Sequence, residues 1–187
     1  MKRLVLGVVA VLALAGCSAG KDAVVQGSSF SFVSPGGKVD ITYDVAQRQT
    51  APVLAGDDLM NEGKQLSLAD FPGKVVVLNL WGQWCGPCRT EAPEMESLAK
   101  QGVQVVGIDV RDPAREVAQD FVRDRELTYP SIYDPDGRVL LKLTGYPRNI
   151  IPSTIVLDKQ HRVAAVFLRP VLAQDLTPVV QRLNAEA

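Results

Sequence analysis

Two cysteines separated by Gly86 and Pro87 are the residues of this sequence whose types and spacing could do chemistry. Cys85 and Cys88 form a Cys-x-x-Cys pair, which can cycle between two thiols and one disulfide. A thiolate at the first cysteine can attack the disulfide of another protein, and the second cysteine can then displace the product. The pair therefore predicts thiol–disulfide exchange through a reversible Cys85–Cys88 disulfide.

The segments on both sides of the pair favour this chemistry. The apolar run 75–80 before it is typical of a buried strand, and residues 89–100 after it carry apolar side chains at helical spacing. The N-terminus of a helix has a partial positive charge and unpaired amide groups, and both stabilise a thiolate. We therefore expect Cys85 to attack the substrate and Cys88, one turn further on, to resolve the mixed disulfide.

A zinc site and a structural disulfide are the alternatives for such a pair. Zinc needs further ligands, and the remaining cysteine and histidine, Cys17 and His161, do not stand at a ligand spacing. A purely structural disulfide across two residues closes a very small loop and removes little chain entropy. The sequence thus predicts no metal and no cofactor beyond the redox-active cysteines.

Length and charge describe one ordinary globular domain with appendages. The chain has 187 residues, 47% of them hydrophobic, and a formal net charge of -1. This length allows a core of normal size. Because the chain has no strongly basic region, we expect no nucleic-acid partner. We also expect a monomer.

The N-terminus carries the pattern of an export signal with a lipid attachment site. Two basic residues precede the apolar run 4–14, and small residues follow it before Cys17. The run is too short to span a bilayer comfortably. Residues 14–17, Leu-Ala-Gly-Cys, resemble a bacterial lipobox, whose cysteine is lipid-modified and becomes the new N-terminus. An ordinary signal peptide that ends near a cysteine is the alternative.

The number of cysteines favours the lipidated form. Three cysteines in an exported chain would leave one unpaired, whereas lipidation uses Cys17 and leaves one redox pair. We therefore expect a signal peptide over 1–16, a flexible tether over 17–29 and the folded domain over 30–187. The protein would be exported and held by its lipid on the outer face of the bacterial cell membrane, in an oxidising environment.

The remaining patterns predict an α/β domain. Residues 30–33 and 39–43 alternate apolar and polar around Pro-Gly-Gly, which predicts an N-terminal β-hairpin. Residues 54–68 are ambiguous between strand and turn. Further strands are predicted at 103–109, 131–133, 153–157 and 162–167, and the last two form an antiparallel hairpin. One helix is predicted from Pro113, which Asp112 precedes, to about Arg125. A short helix is predicted at 139–143, and a last helix over 173–184.

The order of these elements, β-α-β-α and then β-β-α, is that of a thioredoxin domain. We therefore expect a three-layer α/β fold with a central mixed sheet, extended by the N-terminal hairpin. With its motifs, the chain resembles the exported, membrane-anchored thiol–disulfide oxidoreductases TlpA, ResA and CcsX over roughly residues 54–184. Trp81, Trp84 and the cysteines match the family pattern Trp-x-x-Trp-Cys-x-x-Cys, and Pro93 stands where thioredoxin-like helices are bent by a proline.

Residues 151–154, Ile-Pro-Ser-Thr, match the cis-proline loop of this family. The resemblance implies that Pro152 faces the disulfide and that the backbone of Ile151 pairs with the bound substrate chain. Relatives often carry a glycine-containing loop where this chain has residues 149–150, so its substrate groove should differ. His161 falls in the predicted turn between the last two strands, where we expect it to be solvated.

Glu91, three residues beyond Cys88, holds the position of the family's active-site glutamate. We expect it to be the acid/base that manages the proton of Cys88, with a solvated helix glutamate as the alternative. Asn79 replaces the buried aspartate of cytoplasmic thioredoxins and cannot exchange a proton. The expected substrate-binding edge consists of Trp84, Gly86, Pro87 and Ile151, whereas Trp81 should pack in the core.

The Gly-Pro dipeptide between the cysteines favours a reductase. Thioredoxin, with the same dipeptide, has a potential near about −270 mV, against roughly −120 mV for the oxidant DsbA. The resemblance implies apocytochrome c as substrate, its cysteines kept reduced for haem attachment, and a membrane electron donor of the CcdA or DsbD kind. A general extracytoplasmic disulfide reductase is the alternative, followed by an oxidant of exported proteins. A peroxiredoxin-type peroxidase shares the fold, but its Pro-x-x-x-Thr-x-x-Cys motif is absent from the sequence.

Overall fold

A computed structural model describes residues 30–186. The predicted signal peptide over 1–16, the tether over 17–29 and the lipid site at Cys17 lie outside these residues. Within the described range, no helix combines the length and the apolar character needed to cross a membrane.

One mixed sheet of eight strands forms the centre of the fold. In chain order its strands are β1 (Asp40–Thr42), β2 (Ala55–Asp58), β3 (Gln65–Ser67), β4 (Val76–Trp81), β5 (Gln104–Val110), β6 (Ser131–Asp134), β7 (Ser153–Leu157) and β8 (Val163–Phe167). They lie in the spatial order β1-β8-β7-β4-β5-β6-β2-β3. Strands β4, β5 and β6 run parallel, and the other neighbours pair antiparallel. The predicted α/β fold with a central mixed sheet is confirmed.

Three helices, α1 (Gly86–Lys100), α2 (Arg115–Asp124) and α3 (Ala173–Ala185), pack on one face of this sheet. Their buried apolar side chains belong to the same cluster as both cysteines. The opposite face is covered by the aromatic rings of Phe30 and Phe32 and by a segment around the 3-10 turn Leu140–Lys142, where a short helix was predicted. The sheet therefore lies between two covering layers.

Strand β4 is the central element because it leads into the redox loop, residues 82–88, which contains both cysteines. All six of its residues are buried, as the apolar run predicts for a strand covered on both faces. Leu78 and Leu80 belong to the cluster on one face, and Val77 and Trp81 to the cluster on the helical face. Parallel pairing with β5 and antiparallel pairing with β7 fix the end of β4 from both sides.

The predicted N-terminal hairpin is wrong. Residues 30–33 and 39–43 pair with other parts of the chain rather than with each other: Phe30 donates its amide to the carbonyl of Thr50, and β1 pairs antiparallel with β8. The edge of a buried strand offers a row of hydrogen-bond partners, whereas an isolated two-stranded hairpin is marginally stable. Strand β1 therefore covers the edge of β8.

The other differences are local. The ambiguous residues 54–68 form the hairpin β2–β3 at the opposite edge of the sheet, next to β6. Helix α2 begins at Arg115, two residues later than predicted. His161 is half-buried rather than solvated, because its Nε2 lies 3.0 Å from the carbonyl oxygen of Phe71. The antiparallel hairpin β7–β8 forms as predicted.

Candidate active site

The cysteine pair lies at the junction of β4 and α1. Cys85 and Cys88 are joined by a disulfide with their Cα atoms 5.3 Å apart. Cys85 is the N-cap of α1, and the amide of Cys88 donates a hydrogen bond to its sulfur at 3.2 Å. Both cysteines are buried, whereas Gly86 and Pro87 between them are exposed. Once the disulfide is open, the helix N-terminus and this amide can stabilise a thiolate on Cys85.

Trp84 forms an exposed rim next to Cys85. The residue is 46% exposed, its Nε1 donates to the carbonyl of Val110 at 2.9 Å, and the guanidinium of Arg111 lies 4.6 Å from its ring centre. A Cβ atom at Gly82 would come within 2.4 Å of the Trp84 Nε1. The indole can therefore fold back over the loop only because residue 82 is glycine. The sequence analysis did not single out Gly82, although a glycine between two tryptophans is a signal of close packing.

A cavity of about 430 Å³ lies beside Val110 and Arg111, the two residues that contact the Trp84 indole. Val110 and Arg111, which hold the indole, form one part of its wall, and the segment Tyr146–Asn149, which leads towards the cis-proline loop, forms another. Arg111 and Arg148 make the wall basic, and Asp136, which also lines it, is paired with Arg138 at 3.1 Å. This cavity is large enough to accept side chains of a bound polypeptide.

Glu91 is buried on α1, which excludes a solvated helix glutamate. Its Oε1 accepts the amide of Val171 at 2.7 Å, and its Oε2 accepts the side-chain amide of Asn79 at 2.9 Å. Burial raises the pKa of Glu91 to about 7, although the two hydrogen bonds and the charge of Arg169 lower it in part. Near neutral pH both protonation states are populated, which is the property that proton exchange requires.

Asn79 joins Glu91 to the strand that follows the cis-proline. Its Nδ2 lies 3.4 Å from the hydroxyl of Thr154 on β7, as well as bonding to Glu91. The Ile151–Pro152 peptide bond is cis, as the motif predicts. Ile151 packs against the apolar clusters on both faces of the sheet. The structure thus brings the cysteine pair, the glutamate and the proline loop to one end of the sheet.

Asp112 takes part in this site, which the sequence analysis missed. Its place before Pro113 suggested the start of a helix, but α2 has Ala114 as its N-cap, without a side-chain cap. The Oδ2 of Asp112 instead accepts the backbone amide of Gln83 in the redox loop at 2.7 Å. The pairing spans 29 residues, so local sequence carries no signal for it.

The comparisons with known proteins agree with this geometry. The AhpC/TSA family model matches residues 47–166. The thiol-disulfide oxidoreductase ResA of Geobacillus thermodenitrificans is 35% identical over 136 residues, which are 71% of this chain and 75% of that protein. The thiol:disulfide interchange protein DsbE of Pseudomonas aeruginosa is 35% identical over 140 residues, 72% of this chain and 76% of that protein.

A solved structure extends the match. A secreted thiol-disulfide isomerase from Corynebacterium glutamicum is 51% identical, with a TM-score of 0.82, and the alignment covers 84% of this chain and 98% of that chain. The resemblance inferred from the cysteine and proline motifs is thereby confirmed. This chain belongs to the AhpC/TSA family, and within it is a thioredoxin-fold thiol–disulfide oxidoreductase of the ResA and DsbE type.

Proposed function

We propose that this protein is an exported, lipid-anchored reductase that keeps the paired cysteines of apocytochrome c reduced for haem attachment. The observation that carries the exchange chemistry is the disulfide at the N-terminus of α1 with a buried Glu91 one turn further along the same helix. The Gly-Pro dipeptide supports the reductive direction. The substrate is the one that resemblance to TlpA, ResA and CcsX implies.

The reaction starts from the reduced enzyme. The thiolate of Cys85 attacks one sulfur of the substrate disulfide, that bond breaks, and a Cys85–substrate disulfide forms while the other substrate sulfur leaves as a thiolate and takes a proton. The thiolate of Cys88 then attacks the sulfur of Cys85. The substrate leaves with two thiols, and the enzyme holds the Cys85–Cys88 disulfide. Two electrons from a membrane donor of the CcdA or DsbD kind restore the dithiol.

Glu91 manages the proton in the second step. Cys88 is buried, so its thiol has little access to water as a base. Glu91 takes the proton of the Cys88 thiol, and the resulting thiolate attacks the sulfur of Cys85. Glu91 returns the proton to Cys88 when the disulfide is reduced again. A carboxyl group whose pKa lies near 7 can do both at neutral pH. Pro152 contributes by shaping the loop that faces the disulfide, as the resemblance implies.

The substrate chain lies along the exposed edge of the redox loop. Trp84, Gly86 and Pro87 are the exposed residues around Cys85, and the backbone of Ile151 would pair with the bound chain. The cavity beside Val110 and Arg111 would receive neighbouring side chains of the substrate. No cofactor other than the cysteine pair is needed for this exchange.

The anchor is proposed from the lipobox-like residues 14–17. Growth with a radioactive fatty acid should label the wild-type protein, and the label should be lost in Cys17→Ser. Fractionation should then find Cys17→Ser outside the membrane pellet. Equal labelling of both proteins, or none of either, would remove the anchor from the proposal without affecting the exchange chemistry.

The reduction potential of the cysteine pair tests the direction of the reaction. The purified chain is equilibrated with glutathione or dithiothreitol buffers, and its free thiols are counted. A value below about −230 mV supports the reductase, and a value of about −120 mV overturns it in favour of an oxidant.

The substrate is tested with an oxidised peptide that carries the haem-attachment motif Cys-x-x-Cys-His, against a disulfide peptide without the motif. Equal rates for both peptides would indicate a general reductase.

General exchange on exported proteins is the second candidate. It is favoured by the Corynebacterium glutamicum relative, which is 51% identical and is named a secreted thiol-disulfide isomerase. Reactivation of ribonuclease with scrambled disulfides separates the two functions. Efficient reactivation together with no preference for the haem-attachment peptide would support the isomerase over the cytochrome-specific reductase.

A further inference from the structure

Asp109 is a buried carboxyl group that the exchange mechanism does not use. It is the last residue but one of β5 and is 0% exposed, and neither of its carboxyl oxygens receives a hydrogen bond from residues 30–186. Its register partners are Trp81 on β4 and Tyr133 on β6, so its side chain projects on the helical face beside theirs. An ionised carboxylate without any donor is strongly disfavoured at such a position.

Asp112 is the group that faces Asp109 from the loop after β5. Tyr133, the register partner of Asp109 on β6, donates its hydroxyl to the backbone carbonyl of Asp112 and so holds this residue next to Asp109. A hydrogen bond between the two side chains is one of the causes that raise the pKa of Asp109. Two ionised carboxylates offer each other only acceptors, so this contact becomes a hydrogen bond only when one of them carries a proton. The Oδ2 of Asp112 also accepts the amide of Gln83, two residues before Cys85, at 2.7 Å. A proton on Asp109 would therefore complete a chain from β5 to the redox loop.

The other charged and titratable groups around Asp109 are already engaged. Asp134, at the end of β6, accepts the amides of Val139 and Leu140. Arg115 on α2 donates to the carbonyl of Asp58 at 2.7 Å and lies over the ring of Tyr133. Tyr133 donates its hydroxyl to the backbone carbonyl of Asp112 at 2.9 Å.

The electrostatics agree with a protonated Asp109. The pKa of Asp109 is raised to about 9, first by burial, then by the hydrogen bond and charge of Asp112 and by the charge of Asp134, while the charge of Arg115 opposes them. The geometry and the charges around the group thus point to the same protonation state at neutral pH.

We propose that Asp109 keeps its proton in the folded protein and that the Asp109–Asp112 carboxyl pair positions the redox loop. Asp109 donates its hydrogen to Asp112, and Asp112 holds the amide of Gln83, which precedes Trp84 and Cys85. Both aspartates are positioning residues, since they act on the loop through the amide of Gln83. When Asp109 loses its proton in alkaline solution, the two carboxylates repel each other and the loop is released.

The pH dependence of stability tests where the proton is. In Asp109→Asn the amide group replaces the carboxyl O–H as the donor to Asp112, but it cannot titrate. An aspartate in the unfolded chain ionises at about pH 4. Between this pH and about pH 9 the wild type therefore releases one proton when it unfolds. Its stability falls as pH rises through this window. The unfolding constant of the oxidised wild type, relative to that of Asp109→Asn, should rise about tenfold per pH unit between pH 5 and 8.

Urea titrations of the oxidised full-length chain at four pH values measure this ratio. A ratio that rises as expected supports the proton on Asp109. A ratio that does not change with pH means that Asp109 is ionised in the folded protein, and it overturns the proposal.

The positioning role needs a readout in the loop itself. Hydrogen exchange of the Gln83 amide in the oxidised protein at pH 7 should be equally slow in wild type and Asp109→Asn and at least about tenfold faster in Asp109→Leu, which cannot donate to Asp112. Equal protection in all three proteins would overturn the positioning role. Should Asp109→Leu fail to fold, the fluorescence of oxidised wild type, followed through pH 9, replaces it. A transition near pH 9 that is absent from Asp109→Asn supports the role, and the same curve for both proteins overturns it.

Discussion

Glu91 and Asp109 are two of the buried carboxyl groups around the redox loop, and they differ in the donors around them. Glu91, on α1, receives two amide hydrogens, from Val171 and Asn79, whereas Asp109, on β5, receives none from the part of the chain that the structure describes. Burial raises the pKa of both groups, to about 7 for Glu91 and to about 9 for Asp109. The same apolar face of the sheet thus holds one group that can exchange a proton at neutral pH and one that keeps it. Since both groups are buried, their neighbours decide the difference: amide donors lower the pKa of Glu91, and nearby carboxylates raise the pKa of Asp109.

The largest effect is expected when Cys85, the attacking cysteine of the redox loop, is replaced. Cys85→Ser should lower the rate of disulfide exchange by about a thousandfold or more, because the attacking thiolate is lost. Cys88→Ser should instead accumulate a mixed disulfide with the substrate, visible on a non-reducing gel. Substantial exchange by Cys85→Ser would mean that the active site lies elsewhere and that Glu91 and Asp109 do not flank it.

Removing the titration of Glu91 should have the next largest effect. Glu91 accepts the proton of Cys88 only when it is ionised, so the rate of resolution should rise as pH passes about 7. In Glu91→Gln this rise should disappear, and the rate at pH 7 should fall about a hundredfold. Stopped-flow measurement of substrate release between pH 5.5 and 8.5 gives both quantities.

Glu94 on the same helix provides the matched control for Glu91. Its carboxylate also accepts a backbone amide, that of Ala173 at 2.9 Å, but it is half-buried and its proton has no role in the mechanism. Glu94→Gln should keep the wild-type pH profile. If both variants lost the rise near pH 7, the effect would belong to the packing of α1 against the segment before α3 rather than to the proton of Glu91.

Replacing the amide donor at Asn79 by a carboxylate tests whether donors set the difference between Glu91 and Asp109. Asn79→Asp removes a hydrogen bond from Glu91 and adds a like charge beside it, so Glu91 should come to resemble Asp109. The pair should titrate together, and the rise in the pH–rate profile should move by about one to three units to higher pH. A profile that stays near pH 7 would show that donors do not set the difference between the two carboxyls.

The smallest effect is expected at the rim of the loop. A Cβ atom in Gly82→Ala would displace the Trp84 indole from the carbonyl of Val110 without touching either carboxyl group. We expect KM for a protein substrate to rise about threefold to tenfold with kcat unchanged, and stability to fall by about 1–3 kcal/mol. A change in kcat with an unchanged KM would instead place Gly82 in the chemical step.

Part of the candidate site could be predicted because its signals are local. The apolar run of β4, the helical spacing after Cys88 and the Ile-Pro-Ser-Thr motif each lie within a few residues of the group that they position. The exposed Trp84 and the buried Trp81 follow from these short patterns, and the cis-proline is what the family resemblance of the motif implies. The structure has all three as predicted. The N-terminal hairpin had a similar local pattern and was wrong, because the strand that accepts β1 lies more than 120 residues away in the chain.

The sequence by itself determined the reacting groups, their order along the chain and the strand and helix that carry them, since these depend on side-chain type and on periodicity. Only the tertiary structure decided the environment of each titratable group. Glu91 acquires its donor from Val171, 80 residues further on, and Asp112 turns from a helix start to the amide of Gln83. Asp109 lies in a run of apolar strand residues, and its lack of donors appears only when β4, β6 and α2 close around it. Protonation depends on burial and on donors, and both are made by contacts between distant parts of the chain.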